Sequence, residues 1–165
     1  MTSTGNGRMA RHGEVVGDGD RRTVRFERHL DASPEEVWDA LTNPVRLARW
    51  LAPTTIDEGP AGHVHHDFGD GQACEGPILT WDPPRALEYG WHYTGESDSV
   101  VRFELAPAAG GTVLTLVHRQ LDSDQATGYG AGWHAHLDRL AAELAGDADA
   151  FDWGERFAEV LPDYR

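Results

Sequence analysis

The densest group of metal-capable side chains in this 165-residue chain is the run His63, His65, His66 and Asp67. Zinc is held by three or four such ligands, and histidines at i and i+2 of a strand can supply two of them. Strand alternation puts His63, His65 and Asp67 on one face and Val64, His66 and Phe68 on the other. The first three read as a solvated face, because no second ligand pair is visible and nothing orients the rings. Neither a metal site nor a cofactor is expected.

Arg28, His66 and His118 differ, because alternation places each among apolar neighbours. A buried arginine must be paired, and Glu75 is a candidate partner if its strand runs alongside. One reading is a structural ion pair with two satisfied core histidines. The other is catalytic: Arg28 orients a carboxylate, phenolate or enolate while His66 or His118 moves a proton, as cyclase chemistry requires. Cys74 is the only cysteine, which excludes an internal disulfide, a thiolate zinc cluster and a paired redox motif. Gly128, Gly130 and Gly132 have the wrong spacing for a phosphate loop and read instead as flexibility and close helix approach.

Composition narrows the function further. The net charge is -14, and all 14 basic residues are arginine. Without lysine there is no Schiff-base enzyme, no pyridoxal-phosphate anchor and no ordinary phosphate-loop NTPase. An acidic surface repels nucleic acid and anionic lipid, so neither is an expected partner. No apolar run reaches the roughly 20 residues of a membrane span, and no signal-peptide core is present, so a cytoplasmic protein is expected. The 39% hydrophobic content fits one domain with a real core.

The elements that must position these residues start with the segment 24–53. Val24, Phe26, Arg28 and Leu30 share one strand face. Ser33, Pro34 and Glu36 form a helix-capping signal, followed by the stripe Val37, Trp38 and Leu41. Asn43 and Pro44 repeat the cap, and Leu47, Trp50 and Leu51 mark a second short helix. A strand meander follows, with strands near 63–68, 73–81, 86–93, 101–105 and 112–120, and with Gly69-Asp70-Gly71 as a tight turn. Residues 126–145 carry Trp133, Leu137, Leu140, Ala141 and Leu144 as a helical stripe, with Asp138, Arg139 and Glu143 elsewhere around the helix. Gly146 is its C-terminal stop. The acidic tail keeps Phe151, Trp153, Phe157, Val160 and Leu161, too apolar a set for a disordered segment.

The motifs ASPEEVWDALTNP, ARWLAP, CEGPILTWDPPRALEYGW, GGTVLTLVH and GWHAHLDRLAAEL resemble the SRPBCC superfamily, which includes START and birch-pollen-allergen proteins. They are most similar to the bacterial stand-alone branch of the family named for the activator of the heat-shock-protein-ninety ATPase. The resemblance implies an α+β helix-grip fold: a curved antiparallel sheet of about six or seven strands around a long C-terminal helix, with two short helices after the first strand. It also implies a cavity between sheet and helix, lined by Phe26, Arg28, His66, Phe68, Tyr89, Trp91, Phe103, Leu116, His118, Tyr129, Trp133 and Leu137, with Trp91, Trp133 and His118 facing one another. The expected organisation is a disordered or loosely attached arm at 1–21, the domain at 22–146, and an acidic extension at 147–165. That extension should form a short helix docked within the chain or across a homodimer. The expected function is enclosure of a small hydrophobic or aromatic molecule. The alternatives are a cyclase, aromatase or hydrolase-like enzyme, and a chaperone ATPase-activating module. Fold alone does not choose among them.

Overall fold

Alternation decides which side of a strand meets the helix, and it is plain on two neighbouring strands. Val24, Phe26, Arg28 and Leu30 are buried on one strand, and Leu114, Leu116 and His118 on its neighbour. The structure is a computed structural model describing residues 13–17, 19–150 and 152–165. Eight strands, β1 (Glu14–Val16), β2 (Arg21–Leu30), β3 (Thr54–Asp57), β4 (His63–Gly69), β5 (Gln72–Asp82), β6 (Ala86–Tyr93), β7 (Ser99–Ala108) and β8 (Gly111–Asp122), form one sheet. Its order is β1-β2-β8-β7-β6-β5-β4-β3, antiparallel throughout. The helices are α1 (Pro34–Thr42), α2 (Pro44–Trp50), the long α3 (Ala126–Leu144) packed on the sheet, and α4 (Trp153–Val160) in the tail. This is the α+β helix-grip fold.

The sheet exceeds the six or seven strands expected because short strands close both of its edges. β1 is exposed along its length and carries no periodic signal. It lies within the stretch read as a loose arm, yet Glu14 pairs with Arg25 and Val16 with Thr23. The earlier part of that arm, 1–12, lies outside the described residues.

Local chemistry sets the helix ends. Ser33 Oγ accepts from the Glu36 N–H at 3.2 Å, and Asn43 Oδ1 accepts from the Val45 N–H at 3.0 Å, each just before a proline at the first helical positions. Trp50, fully buried, ties α2 to α1 by donating its indole N–H to the Ala40 carbonyl at 2.8 Å. Gly146, at φ +78, takes the left-handed conformation just past α3, and its N–H returns to the Glu143 carbonyl.

The sequence pattern set Asp138 and Glu143 apart from the buried stripe of α3, yet both are buried. Each is paired with arginines from elements that cover the helix on further sides. Asp138 meets Arg28 of β2 at 3.0 Å and Arg156 of α4 at 2.7 Å, and Glu143 meets Arg46 of α2 at 2.9 Å. Burial of a carboxylate is tolerated only with such partners.

The tail packs on α3 of the same chain. Asp152 caps α4 by accepting from the Glu155 N–H at 2.9 Å. Beyond α4 a 3-10 turn, Leu161–Tyr164, brings Tyr164 against Gly130, where a Cβ would lie 2.7 Å from the phenol ring. Tyr164 Oη also accepts from the Gly13 N–H at 2.8 Å, so both described chain ends meet there.

Candidate ligand cavity

A cavity of about 540 Å³ opens between α3, the end of α2, strands β4 and β6, and α4. On α3 the lining positions Tyr129, Gly132, Trp133, His136 and Arg139 follow helical spacing, so one face of the helix forms the wall. Phe68 and Trp91 face it from the sheet, and Trp153 and Phe157 from the tail. Polar atoms come from Glu96, Gln125, His136 and Arg139. Gly128 and Gly132 widen the space, since neither would place a Cβ closer than 3.8 Å to a neighbour.

Trp91 is the centre of the aromatic packing. Its ring centroid lies 5.3 Å from Trp133, 5.4 Å from His118 and 5.5 Å from His66, with Tyr129 edge-on at 6.3 Å. Its indole N–H donates to Tyr129 Oη at 2.9 Å, and Tyr129 donates in turn to Glu96 Oε1 at 2.5 Å. Burial, then the hydrogen bond to Glu96, holds the Tyr129 phenol protonated far above its ordinary range. Burial also raises Glu96, against the opposing effect of the Tyr129 hydrogen bond.

The hydrogen bonds of His118 define its protons. Trp133 Nε1–H donates to Nδ1 at 2.9 Å, so Nδ1 is the acceptor and Nε2 carries the proton. That proton goes to Ser99 Oγ at 2.8 Å, and Ser99 donates to the Trp91 carbonyl at 3.0 Å. His66 is equally committed. Tyr89 donates to its Nε2 at 2.9 Å, its Nδ1–H donates to Thr54 Oγ1 at 2.7 Å, and Thr54 donates to the Ala52 carbonyl at 2.8 Å. This is the proton arrangement in which every one of these buried groups is satisfied. Burial pushes both histidines down to about 3, with the charges of His136 and His65 adding to the effect at His66. Both rings are neutral at physiological pH, and neither has a nitrogen left to accept a substrate proton.

Four of the twelve expected lining residues, Phe68, Trp91, Tyr129 and Trp133, stand at the cavity. His66, Tyr89, Phe103, Leu116, His118 and Leu137 are buried in the core outside its lining. Of the trio Trp91, Trp133 and His118, the two indoles line the space, while His118 is fully buried in contact with both. Phe26 and Arg28 lie toward the tail's other end: Phe26 packs on Tyr164, and Arg28 lies over the Phe26 ring.

Glu75 is not the partner of Arg28. Strands β8, β7 and β6 separate β5 from β2, and Glu75 instead meets the exposed His63 at 3.1 Å. Among the described residues no group of three or more His, Cys, Asp or Glu side chains is arranged to hold a metal ion.

The sequence reading did not place Glu96, His136, Arg139, Trp153 or Phe157 at the site. A signal existed for His136, which continues the helical face of Tyr129 and Trp133 at i+7 and i+3. Glu96 sits in a turn, where no periodicity applies. Trp153 and Phe157 were legible as apolar tail residues without a destination.

The profile of the family described as "Activator of Hsp90 ATPase homolog 1-like protein" matches residues 31–145. The chain belongs to this family. No curated protein sequence matches it. Among solved structures it is similar to CalU16 from Micromonospora echinospora, with 28% identity over 93% of this chain and 92% of that one, at a TM-score of 0.75. It is also similar to CV1439 from Chromobacterium violaceum, with 27% identity over 74% and 96% of the two chains and a TM-score of 0.67. DynU16, described as a protein in the dynemicin biosynthetic locus, is 27% identical over 82% of this chain and 51% of its own, with a TM-score of 0.71.

Proposed function

We propose that this protein encloses a small hydrophobic or aromatic molecule in the cavity between sheet, long helix and tail. The observation that carries this reading is the cavity itself, about 540 Å³ with walls of Trp91, Trp133, Trp153, Phe68 and Phe157 and a few polar groups among them. Small-molecule sites have this size and this mixture. The net charge of -14 favours such a ligand over nucleic acid or an anionic membrane.

A cyclase, aromatase or hydrolase-like activity draws less support. Such chemistry needs a proton carrier at the cavity, and the candidates His66 and His118 have both ring nitrogens bonded within the core. Arg28 is paired with Asp138 and does not line the cavity. For the ATPase-activating alternative, the exposed large apolar residues among the described ones are Val15 and Val16 on the edge strand β1, Val45 on α2 and Leu79 on β5, spread over three elements that do not adjoin in the sheet order or in sequence.

Native mass spectrometry of the freshly purified full-length chain tests the reading. The expected result is an additional small-molecule mass that disappears on denaturation and is identified in the organic extract. Absence of any adduct, together with no saturable uptake from a panel of aromatic compounds, would reject it.

A further inference from the structure

Four of the cavity's aromatic donors are already committed to protein acceptors. Trp91 donates to Tyr129, Trp133 to His118, Trp153 to the Gly132 carbonyl at 3.4 Å, and Tyr129 to Glu96. These rings therefore offer a ligand their faces and edges, with their polar hydrogens already used.

Tyr93, half-buried at the rim, adds a phenol with no such bond among the described residues, and deeper in the wall His136 presents an acceptor. Its Nδ1 lies 3.2 Å from the Trp50 carbonyl, which can only accept, so Nδ1 carries the proton and Nε2 is left with its lone pair. Nε2 has no hydrogen-bond partner among the described residues. The ring is held edge-on to Trp133 at 5.8 Å and tilted against Trp153 at 5.2 Å, which sets its orientation within the wall. Burial lowers its pKa to about 4, in spite of the Trp50 carbonyl and with a further push from Arg139, so the lone pair persists at neutral pH.

Arg139 gives the same end of the cavity a positive character. One of its terminal nitrogens donates to the Arg49 carbonyl at 2.7 Å, while its Nε is buried without a hydrogen-bond partner among the described residues. A ligand ammonium is disfavoured beside this guanidinium, whereas a neutral hydroxyl can donate to His136 and present its oxygen lone pairs to the cation.

We propose that the cavity selects an aromatic ligand bearing a ring hydroxyl, a phenol or naphthol, whose O–H donates to His136 Nε2 while its ring lies among Trp91, Trp133 and Trp153. The proposal rests on the ligand-enclosing reading and narrows it. His136 is then a specificity residue, because a ligand without the donor covers this acceptor and leaves it unpaired.

Calorimetric titration of the full-length protein at neutral pH with 2-naphthol and with its methyl ether, 2-methoxynaphthalene, tests it. The two probes share a ring system and differ in the donor. The naphthol should bind about 10-fold or more tighter, the effect of one hydrogen bond to an acceptor that the ligand covers. His136→Phe keeps a ring in the wall and should reduce the difference to within about 2-fold. Equal binding of both probes by the unmodified protein overturns the role of His136 and leaves the enclosing cavity standing. Binding of neither rejects the cavity reading beneath it. Retained discrimination in a folded His136→Phe variant assigns the donor's recognition to another residue and also overturns the proposal. If that variant does not fold, the comparison of the two probes on the unmodified protein still decides.

Discussion

Arg156 on α4 donates to Asp138 Oδ2 at 2.7 Å, on the carboxylate whose other oxygen accepts from Arg28 at 3.0 Å. A single buried group on α3 thus fastens the tail on one side and the sheet on the other. Asp138→Ala leaves Arg28 buried without this counter-charge and should cost about 3–5 kcal/mol of stability. Arg156→Ala keeps the Arg28 pair and should cost less, about 1.5–3 kcal/mol. Urea unfolding gives both values. Amide exchange across 153–160 should rise in Arg156→Ala while the sheet stays protected; unchanged exchange there would show that the apolar contacts of α4 suffice to hold it.

Stability should fall with acid well above the carboxylate range. His66 and His118 are held at about 3 by burial, against an ordinary 6.5. Between those limits the unfolded chain binds protons that the folded chain does not, so stability is fully present above pH 6.5 and declines below it. The slope is about 1.4 kcal/mol per pH unit for each histidine. His118→Gln should reduce the slope between pH 6.5 and 4.5 by about one proton, whatever it does to absolute stability. Asp138 acts lower on the scale. Burial would raise it, but the Arg156 hydrogen bond and the charges of Arg28, His134 and Arg156 outweigh that and hold it below its ordinary value. Its contribution is present above the unfolded carboxylate pKa and is lost as pH falls through the depressed folded one. A pH-independent unfolding free energy over this range would contradict the assignment of neutral core histidines.

Two neighbouring glycines of α3 should respond oppositely to the same change. At Gly128 an added Cβ meets nothing within 4 Å, so Gly128→Ala should stabilise the helix by about 0.5–1 kcal/mol. At Gly130 the Cβ would come within 2.7 Å of the Tyr164 ring, and Gly130→Ala should loosen the end of the tail and lower the melting temperature. Thermal melts of the pair check both signs.

Zinc titrated into untagged protein should show no tight stoichiometric site, and His63→Ala should change stability by less than about 1 kcal/mol, as expected for an exposed pair with Glu75. Submicromolar binding abolished by that substitution would establish a site that His63 and its neighbours were not expected to form.

The architecture was legible because local signals repeat one another: alternation in β2, the caps at Ser33 and Asn43, the turn at Gly69-Asp70-Gly71 and the stripe of α3. The edge strands were not, because β1 is three exposed residues whose place depends on a distant partner. At the site, alternation separated inside from outside correctly for His66 and His118, but inside includes both core and cavity. What separates Trp133 at the wall from Leu137 in the core is where α4 and the end of α2 happen to cross, and a one-dimensional pattern does not carry that. The partner of Arg28 was missed for a related reason. Asp138 lies 110 positions away, off the apolar stripe of a helix whose further sides are covered only once the tail is in place.

The family profile ends at residue 145, whereas Trp153 and Phe157 of the cavity wall lie beyond it. Part of the cavity wall is therefore carried by a stretch of chain outside the span that defines the family. On the proposed ligand-enclosing reading, a relative that matches this protein throughout the shared span can still differ in what it holds, because the terminal residues form one wall; exchanging them also replaces the Tyr164 contact with Phe26 and the Arg156 pair with Asp138. Grafting the tail of one such protein onto the body of another would transfer selectivity in proportion to how much of it that wall determines.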